Sequence, residues 1–185
     1  MYRRIMGIGL VCLFTLPLLA GTRSGVTMSD SIVIDNQTLE LNGLALRKKV
    51  IFKVYVAGLY LPQKQKSAEA ILAADEMRCM QMHFVRSVDA SKINEGWRDG
   101  LSANTANASP ELKKQFDTLY SWMEKVKDGD LLSFTYIPGQ GTRVKVKGQL
   151  KGTLEGKAFA DALLACWIGP KPGPGEGFKR DILGL

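Results

Sequence analysis

Residues 41–61 read LNGLALRKKVIFKVYVAGLYL. From residue 50 onward one parity holds Val50, Phe52, Val54, Val56, Gly58 and Tyr60, and the other Ile51, Lys53, Tyr55, Ala57, Leu59 and Leu61. A strand with one wet face alternates apolar and polar side chains. This stretch is apolar on one parity and mostly apolar on the other, so it predicts a strand covered on both faces. Arg47 just before it, and Lys53 and Tyr55 within it, do not belong to a plain core. A guanidinium beside a buried strand is costly unless an anion pairs with it.

The rest of the chain is readable in the same way. Ile32-Val33-Ile34, a turn at Asp35-Asn36, then Leu39 and Leu41 predict a β-hairpin. Pro62 ends the long strand, and Ser67 is placed to cap a short helix to about residue 74. Residues 77–88 form the next strand, with Met80, Met82 and Phe84 on one face and Cys79, Gln81, His83 and Val85 on the other. Ile93, Trp97 and Leu101 fall at i, i+4 and i+8, the buried stripe of a helix capped by Asp89 or Ser91. Pro110 opens another helix that turns Leu112, Phe116, Leu119/Tyr120 and Met123 inward. Strands over 131–137, 142–146 and 149–154 lead to a helix over 156–168, stopped by Gly169-Pro170, and to a short last helix around 179–183. Six or seven strands joined mostly as hairpins, with helices between them, argue an α+β fold: a mainly antiparallel sheet with a layer of helices on one face.

Residues 1–20 read as a secretory signal peptide, with Arg3 and Arg4 before an apolar run interrupted by Pro17. An uncleaved anchor is the other reading of that run. Cleavage is placed between 20 and 28, leaving residues 29–185 as a single domain, exported and, in a bacterium, periplasmic. Loss of the leader removes two arginines and no acids, lowering the net charge from +7 to +5. The excess is dispersed over Lys64/Lys66, Lys113/Lys114 and Lys145/Lys147/Lys151. A nucleic-acid surface wants a concentrated basic stripe with stacking aromatics, so no nucleic-acid partner is expected. Weak attraction to an anionic membrane surface is the more plausible consequence. Cys79 and Cys166 are either a disulfide or two buried thiols. A single histidine, His83, leaves no metal site and no Cys/His catalytic pair. No cofactor is expected.

Leu41-Asn42-Gly43, Arg47, and the run Phe52-Lys53-Val54-Tyr55-Val56-Ala57-Gly58-Leu59-Tyr60-Leu61 resemble the bacterial branch of the chalcone isomerase-like family. Phe84-Val85-Arg86, residues 92–101, Phe134-Thr135-Tyr136 and residues 159–169 extend the resemblance in the same order. It implies that family's open-faced sandwich of sheet and helices. The family holds true isomerases, which close an enone ring, and non-catalytic members that bind fatty acids. Matched position by position, the enzymes' arginine falls on Arg47, but their strand threonine is Tyr55 here. Their helix-region tyrosine falls near Asp89, the lysine on Lys92, the asparagine on Gly96 and the late hydroxyl near Ala160.

The resemblance to the fatty-acid-binding members implies instead that Arg47 and Tyr55 hold a carboxylate. A bidentate guanidinium and a phenolic O–H donor suit that head group. Ala57, Met80, Met82, Phe84, Trp97, Leu101 and Leu163 are the candidate lining for the acyl chain. The expected function is binding of a fatty acid or related lipophilic carboxylate, without catalysis. The alternatives are an isomerase or lyase acting on an enone-type substrate with Arg47 as its electrophile, and an interaction module with a filled core. In that last reading Arg47 belongs to a basic surface turn with Lys48 and Lys49, and Tyr55 to the core. A straight strand through residues 47–55 would separate Arg47 and Tyr55 by ~26 Å. A shared carboxylate therefore requires the chain to bend or reverse near residues 48–50.

Overall fold

A computed structural model describes residues 20–185; residues 1–19, where a signal peptide is expected, lie outside them. In chain order the elements are β1 (Ala20–Arg23), β2 (Val26–Ser29), β3 (Ser31–Ile34), β4 (Gln37–Lys49), β5 (Phe52–Leu61), α1 (Ala68–Ala73), β6 (Arg78–Phe84), α2 (Ala90–Asn104), α3 (Pro110–Ser121), β7 (Leu131–Ile137), β8 (Gly141–Val146), β9 (Gln149–Leu154), α4 (Lys157–Ile168) and α5 (Glu176–Ile182). Strands β3 to β9 make one seven-stranded sheet in sequence order, every neighbouring pair antiparallel. The architecture is the expected α+β one.

Residues 41–61 divide into two strands. The chain reverses at Val50-Ile51, so β4 and β5 pair from Lys49↔Phe52 back to Glu40↔Leu61. The expectation of cover on both faces therefore fails at the near end of the stretch. Val50, Ile51 and Phe52 are 88%, 80% and 54% exposed at the hairpin tip, whereas Tyr55 to Leu61 are all buried.

The helix-side face of the sheet carries Ala57, Leu59, Met80, Met82, Phe84, Leu132, Phe134 and Val144, all in one buried cluster with the helices. Helix α4 lies at the centre of that layer, and Phe159 through Ile168 are buried except Asp161. That nearly all-round burial follows from its place between the sheet and its helical neighbours: α1, α2, α3 and α5 all pack against it. Serines cap two of the helices: Ser67 Oγ accepts from Ala70 N at 3.1 Å, and Ser109 Oγ from Leu112 N at 3.1 Å. Asp89 precedes α2 without a side-chain cap bond and pairs with Lys125 at 3.2 Å.

The opposite face is covered in part by the β1–β2 hairpin. Val26 and Met28 are buried against Val56, and Tyr60 Oη donates to the Ser29 carbonyl at 3.0 Å. A Cβ on Gly58 would come within 2.9 Å of Met28 Sδ, so the hairpin sits directly on this glycine. Residues 20–28, the span in which cleavage is expected, thus belong to the β1–β2 hairpin of the fold.

Two bulges shape β4–β5. At the first, Asn42 falls out of register between Leu41↔Tyr60 and Gly43↔Leu59. Its side chain donates to the carbonyls of Gln65 at 3.0 Å and Ile182 at 3.1 Å and accepts from Gln65 N at 2.7 Å. The bulged amide thereby ties α5 and the loop after β5 to the sheet. Gly43 completes the contact, because a Cβ there would collide with the Asp181 and Ile182 carbonyls. The second bulge lies between Arg47 and Lys48 and leaves Val54 without a partner on β4.

Candidate functional site

The reversal at Val50-Ile51 makes Arg47 and Tyr55 directly opposed residues of the β4–β5 ladder. Opposed residues project to the same face, with Cβ atoms about 5 Å apart. Both line a cavity of about 560 Å³. Val54, Tyr55, Met82 and Phe84 form its sheet wall, and Ile93, Gly96 and Trp97 of α2 its helix wall. Cys166, Trp167, Gly173 and Pro174 line it at the C-terminal end of α4, while Lys49, Val50, Phe52, Arg86, Lys92 and Glu95 belong to its outer rim.

Tyr55 is held at the inner end. Its ring packs at 5.6 Å from Phe84 and edge-on at 6.1 Å from Phe178, centroid to centroid. Trp167 Nε1–H donates to its hydroxyl oxygen at 3.1 Å. The hydroxyl proton finds no acceptor among the described residues, which leaves it free to donate. Burial pushes the phenol up to about 12, against the smaller opposing pulls of the Trp167 bond and the Arg47 charge. Tyr55 is therefore a neutral donor at any physiological pH. Arg47 is half-buried, and no ion pair among the described residues includes it.

The other ionisable groups at the cavity are partly matched already. Lys92 and Glu95 pair at 2.6 Å, and Asp89 pairs with Lys125. The Arg86 guanidinium stacks 4.6 Å from the centroid of the Phe52 ring. Burial pushes the Cys166 thiol up to about 12, so it is a protonated, inert group. An unmatched guanidinium beside a spare O–H donor, over an apolar wall, is an arrangement for a carboxylate with a hydrophobic body.

Of the residues anticipated from the sequence, Arg47, Tyr55, Met82, Phe84 and Trp97 line this cavity. Ala57 does not; it is fully buried opposite Ala45 in solid packing. Met80 and Leu163 lie instead at a second void of only about 20 Å³ beneath Phe134 and Trp167. Leu101 is half-buried at the edge of the main core. Of the positions aligned with isomerase groups, Asp89, Lys92 and Gly96 lie at the cavity and Ala160 does not. Val54, Ile93 and Trp167 were not foreseen as lining. The helical stripe does contain Ile93, but nothing in the spacing places Trp167 against Tyr55.

Cys79 and Cys166 are both free and buried. Cys79 packs with Tyr60 and Ile137, in a cluster separate from the one holding Cys166. Thr135 Oγ1 donates to its Sγ at 3.3 Å. A disulfide between the two is therefore excluded by their placement on opposite sides of the sheet.

The fold has known counterparts. The chain belongs to the chalcone isomerase-like family, whose model matches residues 20–184. The crystal structure of the Arabidopsis thaliana fatty-acid binding protein AtFAP1 matches it with a TM-score of 0.70 at 17% identity, over 89% of this chain and 96% of that one. At that identity the likeness is one of fold. No curated protein matches the chain.

Proposed function

We propose that this protein is an exported, non-catalytic binder of a fatty acid or related lipophilic carboxylate, with Arg47 and Tyr55 on the head group. The observation that carries the reading is the pairing of an unmatched Arg47 with the spare hydroxyl donor of Tyr55 at an apolar cavity. The volume falls within the ~300–1,000 Å³ common for small-molecule sites. A similar fold serves a protein described as fatty-acid binding, which agrees with the chemistry of the site.

The isomerase alternative needs a group to accept or relay a proton near Arg47. Tyr55 stands where the enzymes' threonine would be, and a phenol pushed up to about 12 is a donor and a poor base. The filled-core alternative is at odds with a cavity of about 560 Å³ reaching Arg47. Export belongs to the same proposal and rests on the leader-like residues 1–20.

Native mass spectrometry of the protein, purified gently from its own host, tests the reading. A stoichiometric fatty acid, recovered on extraction and found with protein in the periplasmic fraction, is the expected result. An empty protein that also ignores added fatty acids would overturn it.

A further inference from the structure

The β4–β5 hairpin tip has three features that its role in the fold does not explain. Val50, Ile51 and Phe52 project into solvent at 88%, 80% and 54% exposure, at the one place where this long apolar run leaves the core. Lys48 and Lys53 are directly opposed in the ladder next to the tip. Like charges in that position destabilise a hairpin. Val50 itself sits at φ 58, a left-handed conformation that is strained for a β-branched residue. Glycine would relieve that strain in a two-residue turn, and a polar residue would end the exposure. Each feature weakens the isolated protein, and each is accounted for by a partner that is apolar inside and anionic outside.

We propose that this hairpin tip docks the protein on an anionic lipid bilayer. The apolar wedge of Val50, Ile51 and Phe52 enters the boundary between head groups and acyl chains, as the apolar face of an interfacial helix does. Lys48, Lys49, Lys53 and Arg86 form a basic collar around it and meet the lipid phosphates. Among the described residues no ion pair engages any of these four cations. Their attraction to the membrane falls off within a Debye length, so the collar acts only when the tip is in contact.

Val50 and Phe52 also line the cavity rim. Docking through the tip therefore turns the cavity mouth toward the bilayer, where an amphiphile passes between membrane and cavity without crossing bulk water. That transfer step rests on the function proposed above; the docking itself does not.

Co-sedimentation of the protein, purified from its own host, with vesicles tests the docking, comparing phosphatidylglycerol/phosphatidylethanolamine with phosphatidylcholine alone. Two variants outside the cavity lining separate docking from folding. Ile51→Asp places a charge in the wedge at an exposed site. Lys48→Glu replaces the opposed lysines by a cross-strand ion pair, so it leaves thermal stability equal or raised while it reverses one collar charge. The expected result is binding to the anionic vesicles at low salt, weakened on the order of tenfold in each variant and reduced by added salt in the wild type. Ligand content, measured in the same preparations, stays at the wild-type level, so a failure of docking is distinguishable from an empty cavity. No binding to anionic vesicles, or binding by either Lys48→Glu or Ile51→Asp as tight as that of the wild type, overturns the proposal. Self-association that disappears in Ile51→Asp, without vesicle binding, overturns it in favour of a second copy at the tip.

Discussion

Arg47 and Tyr55, eight positions apart in the chain, are opposed residues across the β4–β5 ladder and share one face of the sheet. The tight reversal at Val50-Ile51 brings them together, and the bulge between Arg47 and Lys48 sets which residues meet. A guanidinium and a phenolic hydroxyl thus reach the same end of one cavity. Several measurable consequences follow from this geometry and from the packing around it.

Substitution of Arg47 should act on the head group alone. Arg47→Ala is expected to weaken carboxylate binding by about 2 kcal/mol, on the order of thirtyfold, because the side chain is half-buried rather than sealed. Arg47→Lys should recover only part of the loss, since an ammonium cannot match a carboxylate with two parallel bonds. Thermal stability should scarcely change, as the guanidinium has no ion-pair partner among the described residues to lose. Calorimetric titration gives the first quantity, and a loss below ~0.5 kcal/mol would place Arg47 outside the binding site.

Alkaline stability should fall from about pH 9. Burial pushes Cys79 up to about 11 and Cys166 to about 12 from 9.0, and Tyr55 and Tyr60 to about 12 from 10.0. Above pH 9 the unfolded chain sheds protons that the folded chain still holds, so each unit of pH favours unfolding. The contribution is whole below the unfolded values and is lost as pH rises toward the folded ones. Denaturant midpoints measured from pH 8 to 11 should decline steadily; a flat profile would mean that these groups are not buried as described.

The tie at Asn42 should be costly to cut. Asn42→Ala removes three hydrogen bonds and strands the Gln65 amide and two carbonyls, at a cost of about 2–3 kcal/mol. Gly43→Ala should push α5 off the sheet, and with it Phe178 from the ring of Tyr55. Both variants are predicted to lower the denaturation midpoint, and Gly43→Ala also to weaken ligand binding. Normal stability in Asn42→Ala would show that α5 does not depend on this anchor.

The two thiols should be silent in the folded protein. Cys79 and Cys166 lie buried on opposite sides of the sheet, so an aromatic disulfide reagent should label neither until denaturant is added. Labelling of Cys166 that is blocked by ligand would show that the cavity opens further than the structure describes.

Much of this was legible from residue patterns. The parity of Met80, Met82 and Phe84, and the stripe of Ile93 and Trp97, place those residues against one another correctly. The β3–β4 turn is announced by Asp35-Asn36, which adopt φ of 47 and 63 as such residues readily do. The β4–β5 turn carries no such signal, because two β-branched residues occupy it. Only the need for Arg47 and Tyr55 to share a ligand required a reversal there. The β1–β2 hairpin was hidden because its strands are only four residues long and directly follow the apolar run of residues 5–19, although Val26 and Met28 do alternate with Thr27 and Ser29. Cavity and core could not be separated along the strands, either. Met80 and Met82 share a face, yet α4 fills the space over one and α2 stands clear of the other, a difference set by helix placement and not by residue type.

A paired titration tests most directly whether Arg47 reads a carboxylate. Delipidated wild-type protein and Arg47→Ala would each be titrated calorimetrically with a long-chain fatty acid and with the alcohol of the same chain length. The wild type should prefer the acid by an order of magnitude or more, Arg47→Ala should lose this preference, and alcohol binding should be nearly the same in both. A wild type that binds acid and alcohol equally, or an Arg47→Ala protein that keeps the preference, would contradict that role for Arg47.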